Sequence, residues 1–443
     1  MVSPSLLMRC QLALRSSRLA RVFGMGLTMQ ALLSGANFIV GLILIRRTAD
    51  LQYSYYILAA NALLLITSLQ TSFMQPYVVT RITRIDRSDR RELVGGVIRA
   101  TRRLVPGLCA AAILLAVGLR ALHYLDDEQT LLIVASLLTA GVALGREFFR
   151  MTLFAYRRPF EVLRADLAYV VLLVAGAFVA TLTPQPALFA IASLGVAALV
   201  GWWILRHGLW QFEPWNKHAA GGVLRKMAVM GSWAITGSGI HWLLIQGYTY
   251  LIAGMLDVRH VAALAATRLL LVPVFVLSNG VSMLLFPITS RWLHEQGVSA
   301  AVRRLSLLVA ALFCLALCYI SVMWFLRDWI FSAVLKKHFA QGDELLLLWS
   351  AVFLVTLCRD QLATLPASRE RFRDMTLLTG ASALVWVVAS YIAVKLYGAT
   401  GAVVGMLIGE TTNVVGIIFM IAWEMRRGGS AVTSQQEPPA RST

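Results

Sequence analysis

Residues 186–205 read PALFAIASLGVAALVGWWIL and contain no charged side chain. An α-helix needs about 20 mainly apolar residues to cross the roughly 30 Å hydrocarbon layer of a membrane. A second apolar segment lies at 162–182, and only a short polar turn separates the two. The pair therefore predicts two consecutive membrane-spanning helices rather than the core of a soluble domain.

The same pattern recurs along the whole chain of 443 residues. The predicted spans lie near 23–45, 54–79, 104–122, 130–153, 162–182, 186–205, 232–255, 261–288, 305–326, 343–364, 375–397 and 400–424. Twelve spans of this length use roughly 240 residues, so the remainder forms short loops with no room for an extramembrane catalytic domain. We predict an all-α integral membrane protein with twelve transmembrane helices.

The composition agrees with a membrane protein. Apolar residues make up 58% of the chain and charged residues only 14%, whereas soluble domains average about 25% charged residues. The net charge of +18 would suggest a nucleic-acid partner in a soluble protein, but here the basic residues lie between long apolar runs. Basic loops beside membrane helices are selected by insertion and by anionic head groups. We therefore expect no nucleic-acid partner.

The basic residues of the loops also orient the helices. With the N-terminus in the cytoplasm, that side receives dense clusters at 81–103, 206–226 and 369–373, while the opposite side receives isolated residues and pairs such as Arg46 and Arg47. An excess of Lys and Arg marks the cytoplasmic side. Both termini are therefore predicted to be cytoplasmic, which requires an even number of spans.

Two stretches of the first half recur in the second half. Leu58–Leu65 (LAANALLL) matches Leu264–Leu271 (LAATRLLL), and Arg146-Glu147 matches Arg359-Asp360. Matched stretches are six spans apart, so both halves enter the membrane from the same face and the repeat is parallel. We predict two six-helix lobes, related by a pseudo-two-fold axis along the membrane normal, with a cavity between them.

The chain is divided accordingly into five parts. They are a basic cytoplasmic N-terminus (1–20), an N-lobe with spans 1 to 6 (21–205), a cytoplasmic inter-lobe linker (206–231), a C-lobe with spans 7 to 12 (232–425) and a disordered cytoplasmic tail (426–443). The tail is rich in Gly, Ser, Gln and Pro and has no hydrophobic periodicity, which is typical of disorder.

Ionisable residues inside predicted spans are the first functional candidates, because burying a charge in a membrane is costly. Arg268 lies about two turns into span 8, deep enough to present its guanidinium to an anionic ligand such as a diphosphate. The alternative is a structural pair with a carboxylate such as Glu410. Glu410, near the middle of span 12, is that partner, a protonatable coupling group, or a packing carboxyl kept neutral by burial.

A second group of charges lies at the predicted cytoplasmic ends of spans 4 and 5. Arg146 and Arg150 are four residues apart and share one helical face, so a basic vestibule for a phosphorylated head group is one interpretation. Salt bridges from either arginine to Asp166 are the other interpretation, and Asp166 is also a second candidate for coupling.

Neutral polar residues add hydrogen-bonding capacity in three of the spans. Five of them are candidates for contacting sugar hydroxyls: Gln30, Asn37, Asn61, His241 and Gln246. Trp233 and Trp242 are able to stack on sugar rings, although interfacial tryptophans are common in membrane proteins. Pro273 and several glycines weaken helix continuity and would allow spans 1, 7 and 8 to bend, although close helix packing is the simpler explanation for the glycines.

Motifs for chemistry are missing from the sequence. There is no GxxxxGK[ST], GxSxG or HExxH motif, and the five cysteines form neither a CxxC motif nor a disulfide framework. We therefore expect no enzyme activity, no cofactor and no metal site, and an energy source other than ATP.

Several motifs carry a family resemblance over residues 21–425. They are Arg146-Glu147-Phe148-Phe149-Arg150, Tyr156-Arg157-Arg158-Pro159-Phe160, Arg164-Ala165-Asp166-Leu167, Leu264-Ala265-Ala266-Thr267-Arg268 and Tyr397-Gly398-Ala399-Thr400-Gly401-Ala402. With them and the 6+6 layout, the chain resembles the multidrug/oligosaccharidyl-lipid/polysaccharide (MOP) exporter superfamily. Within it, the chain is similar to the flippases of O-antigen and exopolysaccharide synthesis.

The resemblance implies a V-shaped bundle in a bacterial inner membrane. Such flippases move an undecaprenyl-diphosphate-linked oligosaccharide from the cytoplasmic to the periplasmic leaflet by alternating access. Cationic residues, here Arg268 with Arg146 and Arg150, would hold the diphosphate. The implied partners are the surrounding membrane lipids and a polysaccharide polymerase or glycosyltransferases of the same pathway. We expect the protein to be a monomer.

Two other functions stay open. A MATE-like antiporter for cations or drugs belongs to the same superfamily but needs acidic residues in its cavity, and spans 1 and 2 offer none at depth. A membrane-embedded polysaccharide polymerase or ligase normally carries a large periplasmic loop, whereas the longest outer loop here, about 327–342, is short.

Overall fold

The computed structural model describes residue 26 and residues 28–219 and 222–434. Every regular element in these ranges is a helix, which confirms the predicted all-α class. The predicted N-terminus (1–20) and the end of the predicted tail, beyond residue 434, lie outside the described residues. The final helix runs to Ser434 and so enters the range predicted as a disordered tail.

The first seven helices follow one another with short connections. They are α1 (Thr28–Arg47), α2 (Asp50–Ile82), α3 (Arg87–Ala121), α4 (Asp127–Ala155), α5 (Pro159–Ala180), α6 (Pro186–Phe212) and α7 (Val223–Met255). Proline opens α5 and α6, where its missing N–H costs nothing because first-turn N–H groups have no partner in the helix. Asp126 and Gln129 form a capping box at the start of α4.

Five further helices follow in the described residues. They are α8 (His260–Leu270), α9 (Val272–Phe325), α10 (Gly342–Leu362), α11 (Phe372–Tyr397) and α12 (Ala399–Ser434), with short helical turns at Arg327–Trp329, Ile330–Leu335 and Thr364–Ser368. Gly398, with φ of 65°, makes the tight turn between α11 and α12.

The number of spans differs from the sequence prediction. Among the described residues, ten helices are long and apolar enough to cross a membrane, and α8 joined to the start of α9 makes an eleventh. The helix at predicted span 7, α7, is 33 residues long but is not among them. Polar residues such as His241 and Gln246 dilute the apolar character of α7.

Predicted span 8 is bent rather than continuous. The axes of α8 and the first part of α9 differ by 54°. Leu271, between them, has φ of −99° and ψ of 0°, and Pro273 is the second residue of α9. A proline lacks the N–H needed to continue a helix, so the bend expected from Pro273 is confirmed. A second break follows at Gly297, whose φ of 79° favours glycine.

The chain forms two compact units, which we call unit 1 (to Gly239) and unit 2 (from Ile240). The boundary lies inside α7, beyond the predicted linker at 206–231. Much of that predicted linker is helical, because α6 continues to Phe212 and α7 begins at Val223.

Close helix packing in each unit depends on small residues. In unit 1, a side chain at Gly176 of α5 would collide with Ser193 of α6. In unit 2, a Cβ atom at Gly405 of α12 would lie 2.2 Å from the Oγ atom of Ser390 of α11. Small residues at helix contacts are typical of membrane proteins, because they let the backbones approach closely.

Candidate functional site

Arg268 lies half-buried in the last turn of α8, in unit 2. Its Nη1 atom donates a hydrogen bond of 2.7 Å to the side-chain oxygen of Gln246 and is 3.5 Å from the hydroxyl of Tyr248. The guanidinium carbon lies 5.5 Å from the ring centre of Tyr248 and 5.6 Å from that of Trp349. Both distances suit cation–π attraction.

The surroundings of Arg268 are well packed. Trp349 is fully buried and Tyr248 is almost so, and their rings meet edge to face at 5.0 Å. The hydroxyl of Tyr319 donates to the carbonyl of Leu270 at 2.7 Å, which satisfies one of the free carbonyls at the end of α8. A cation in this last turn is also favoured by the helix dipole.

No carboxylate of the described part of the chain lies within 4.0 Å of the Arg268 guanidinium. An arginine side chain carries five N–H donors, and the contacts of Arg268 leave donors free. A half-buried cation with free donors and aromatic walls is chemically suited to bind an anion.

The alternative partner for Arg268, Glu410, pairs with a different arginine. Arg359 of α10 lies 2.5 Å from Glu410 of α12 and 2.7 Å from Asp360. The hydroxyl of Ser278 donates to Asp360 at 3.3 Å. Arg359 and Glu410 are both buried, so an Arg268–Glu410 pair is wrong and the charge of Glu410 is balanced by Arg359.

In unit 1, the structure forms the salt bridges that the sequence left open for Arg146 and Arg150. Asp166 is fully buried and accepts hydrogen bonds from Arg146 and, at 3.1 Å, from Arg150. Arg146 also lies 2.5 Å from Glu147, and its guanidinium stacks over the ring of Tyr169 at 4.0 Å. These four charges therefore neutralise one another inside unit 1.

The two charge clusters are not symmetric copies. In unit 1 the buried carboxylate comes from α5, whereas in unit 2 it comes from α12. The arginine is thus present in both matched motifs, Arg146-Glu147 and Arg359-Asp360, but the buried carboxylate that neutralises it comes from a different helix in each unit.

The residues predicted to contact sugars are distributed over both units. Gln30 and Asn37 are exposed, and their spacing of seven residues puts them on one face of α1. Asn61 is half-buried on α2, and His241 is exposed on α7. Within unit 2 the structure brings one of the five, Gln246, into contact with Arg268.

Sequence reasoning missed Trp349 and the ion-pair partner of Arg359. Trp349 reads as one more apolar residue of span 10, and no local pattern connects it to Arg268. Arg359 was recognised as a repeat of Arg146, but its partner Glu410 lies 51 positions away. A signal in the sequence was available only for Arg359, as an arginine within a predicted span.

No family model matches the sequence, and no curated protein matches it. Solved structures do match. An inward-facing multidrug resistance MATE family transporter of the MOP superfamily has a TM-score of 0.74 at 13% identity, covering 92% of this chain and 96% of that one. The lipid II flippase MurJ, in an inward closed conformation, has a TM-score of 0.69 at 11% identity, covering 90% of this chain and 87% of MurJ.

The chain has the fold of MATE transporters and MurJ. This confirms that the chain shares a fold with MOP exporters, as the resemblance implies, while the twelve spans and the cytoplasmic termini stay predictions. The matching proteins are transporters and a flippase, not enzymes. An outward-facing MATE transporter also matches, with a TM-score of 0.59 and 12% identity over 93% of this chain and 96% of that one.

Proposed function

We propose that this protein is a flippase that moves an undecaprenyl-diphosphate-linked oligosaccharide from the cytoplasmic to the periplasmic leaflet of a bacterial inner membrane by alternating access. The observation that supports this function best is Arg268, a half-buried cation with free hydrogen-bond donors in a MATE and MurJ fold. The two oxygen-rich groups of a diphosphate match the planar donors of a guanidinium.

The charges favour an anionic cargo over a cationic one. Several carboxylates inside helices of the described chain form ion pairs with arginine, among them Glu147, Asp166, Asp360, Glu410 and Glu424. Binding a cation at any of them would require breaking that pair. Arg268, in contrast, is available to an anion without breaking an ion pair.

Gln246, Tyr248 and Trp349 support the role of Arg268. The amide of Gln246 fixes one nitrogen of the guanidinium, and the two rings limit the positions of the rest of it. A cation held in place by its neighbours loses less conformational entropy on binding a phosphate. We further propose that Gln246 and His241 on α7, with Gln30, Asn37 and Asn61 on α1 and α2, contact the sugars.

The two predicted coupling residues, Glu410 and Asp166, both form ion pairs that a proton would have to break. A proton arriving at Glu410 would have to displace Arg359, and one arriving at Asp166 would have to displace Arg146 and Arg150. Glu410 has fewer arginine partners than Asp166, so we propose it as the better candidate for linking transport to a proton gradient.

A MATE-like antiporter for cations or drugs is the second candidate. It is supported by the matches to MATE transporters, which have the same fold as MurJ and this chain. For such a protein, Asp360 and Glu410 would bind the cargo after releasing Arg359.

One reconstitution experiment separates the two functions. The full-length protein is placed in proteoliposomes with an undecaprenyl-diphosphate oligosaccharide that carries a fluorescent sugar tag, and flipping is measured by quenching with membrane-impermeant dithionite. Hydrogen bonds to charged groups contribute about 1.5–3 kcal/mol, so Arg268→Ala is expected to slow flipping roughly 10- to 150-fold. Arg268→Lys keeps the charge and is expected to retain part of the activity.

The matched control is Arg303→Ala, which removes an exposed arginine of α9. Its flipping rate is expected to equal that of the unsubstituted protein. Full flipping by Arg268→Ala would remove the proposed role of that residue. Transport of a cationic drug by vesicles that leave the tagged glycan lipid unmoved would assign the protein to the MATE-like function instead.

A further inference from the structure

Unit 1 contains a cavity of about 1130 Å³ that takes no part in the function proposed above. It is lined by α3, α4, α6 and the loop at 213–219, and it is open on one side. No carboxylate is among its lining residues. Five cationic side chains line it: Arg99, Arg102, Arg103, Arg206 and Lys217. Four tryptophans also line it: Trp202, Trp203, Trp210 and Trp215. We call this cavity the basic–aromatic pocket.

The cations of the basic–aromatic pocket are not neutralised by protein groups. Within the described chain, none of the five has a carboxylate within 4.0 Å. Arg99 donates to the carbonyl oxygen of Lys217 at 2.8 Å, while Arg206 and Lys217 lie over the rings of Trp202 and Trp210 at 5.1 and 5.0 Å. Such contacts orient the cations and leave their charge available to an anion.

The pocket changes from charged to apolar along the helix axes. On α3, the arginines of 99–103 come before Val105 and Pro106; on α6, which crosses in the opposite direction, Leu199 comes before Arg206. The charged ends of α3 and α6 therefore lie on the same side, which the loop charges predict to be the cytoplasmic side. A phospholipid of the cytoplasmic leaflet is arranged in the same way, with its charged head group at the cytoplasmic surface and its apolar chains towards the membrane centre.

The tryptophans lie at the charged end of the pocket. Trp210 and Trp215 meet edge to face at 4.7 Å, and Trp203 is 61% exposed. Tryptophan is enriched where hydrocarbon meets head groups, because its ring is apolar and its N–H needs a polar partner. These residues indicate that the charged end lies at the level of lipid phosphates.

The loop that completes the pocket is firmly held. Glu213 is almost fully buried and accepts hydrogen bonds from Arg90 and from the hydroxyl of Tyr156, the latter at 2.7 Å. The backbone N–H of Asn216 donates to the carbonyl of Arg91 at 2.9 Å. Any side chain at Gly95 would collide with the Asn216 carbonyl, so glycine allows the loop to rest directly on α3. Lys217 and Trp215 are thereby placed against the pocket.

We propose that the basic–aromatic pocket binds one anionic phospholipid of the cytoplasmic leaflet, with its phosphate against the arginines and its acyl chains along Val105, Pro106 and Leu199. The volume exceeds the roughly 300–1,000 Å³ of typical small-molecule pockets, as a lipid requires. Unit 1 supplies all the lining residues, whereas the proposed cargo residue Arg268 lies in unit 2, so we assign this lipid as a bound component of the protein.

The test uses the full-length protein in detergent, after lipid removal, with phosphatidylglycerol and phosphatidylcholine as probes. Native mass spectrometry gives the affinity for each lipid. Arg102→Gln with Arg103→Gln removes two exposed arginines that make no hydrogen bond or ion pair in the described chain, so folding is preserved. A basic residue beside anionic lipid contributes about fivefold in affinity, and both arginines line the pocket, so replacing the pair should lower phosphatidylglycerol binding about 25-fold.

The matched control replaces the adjacent pair Arg303 and Arg304 of α9 with glutamine, and phosphatidylglycerol binding should not change. Lysine at positions 102 and 103 should restore most of the affinity. Equal affinities for the two lipids, or an equal loss from both arginine pairs, would overturn the site. The proposal would also be overturned if undecaprenyl diphosphate bound more tightly than phosphatidylglycerol and this binding was lost on substitution of Arg102 and Arg103. The pocket would then be a binding site for the transported lipid.

Discussion

Replacing Arg359 with alanine tests whether the buried ion pair holds unit 2 together. The Arg359 side chain is 10% exposed and that of Glu410 is 3% exposed. The substitution leaves Glu410 without its 2.5 Å partner and leaves Asp360 with the hydroxyl of Ser278. Removing one member of a buried pair costs about 3–5 kcal/mol, because the remaining charge stays buried and unpaired.

The expected loss converts into a measurable shift of the melting temperature. For a domain of about 200 residues, each kcal/mol lowers Tm by about 2–4 °C, so Arg359→Ala should melt about 6–20 °C below the unsubstituted protein. Thermal unfolding in detergent, followed by intrinsic tryptophan fluorescence, measures this shift. Replacing both partners, as Arg359→Met with Glu410→Leu, should recover most of the loss, since no unpaired charge then remains at Glu410.

The control is an ion pair at the surface of the same unit. Arg327 and Asp343 are 3.2 Å apart, and Asp343 is 57% exposed. Exposed pairs contribute about 0–1 kcal/mol, so Arg327→Ala should change Tm by only a few degrees. If Arg359→Ala melted at the same temperature as Arg327→Ala, the reasoning that this buried pair stabilises the contact of α10 with α12 would be refuted.

Three further results are expected. Burial raises the pKa of Glu213, but hydrogen bonds from Arg90 and Tyr156 outweigh burial and hold that pKa below its usual value. The ionised carboxylate therefore stabilises unit 1 at neutral pH. This stabilisation is lost as the pH falls through the lowered pKa. Glu213→Gln should therefore weaken the dependence of Tm on pH below about pH 5, and an unchanged dependence would contradict this. Gly405→Val should lower Tm by more than about 5 °C, because its side chain would collide with Ser390; normal melting would show that α11 and α12 separate easily. Pro273→Ala should straighten the 54° bend and slow flipping without lowering Tm, and a normal flipping rate would show that the bend is dispensable.

The sequence predicts the helices of this protein well because span length and apolar composition are local properties. The segment 186–205 is almost all of the apolar part of α6, and the expected bend at Pro273 is present. Span 7 is the exception: α7 is a long helix, but its polar residues take it out of the set of helices that are apolar enough to cross a membrane.

The contacts between helices were beyond reach of the sequence. Glu410 had several arginines as conceivable partners, and which one it meets depends on how α10 and α12 are rotated about their axes. Arg102 and Arg206 appeared as unrelated loop charges, because their convergence requires α3 and α6 to run in opposite directions with the 213–219 loop resting on Gly95. Those facts belong to tertiary packing, which no local sequence pattern encodes.

The held loop at 213–219 offers a reporter position for motion of the transporter. His218 is exposed, while the loop around it is tied through Glu213 and Asn216 to α3 and to Tyr156, the residue that follows α4. A spin label or dye attached at His218→Cys, after replacement of the exposed cysteines Cys314 and Cys318, would therefore follow unit 1 as a body rather than the wobble of a surface loop. Distances from that label to a second one in unit 2 would then record the conformational cycle directly.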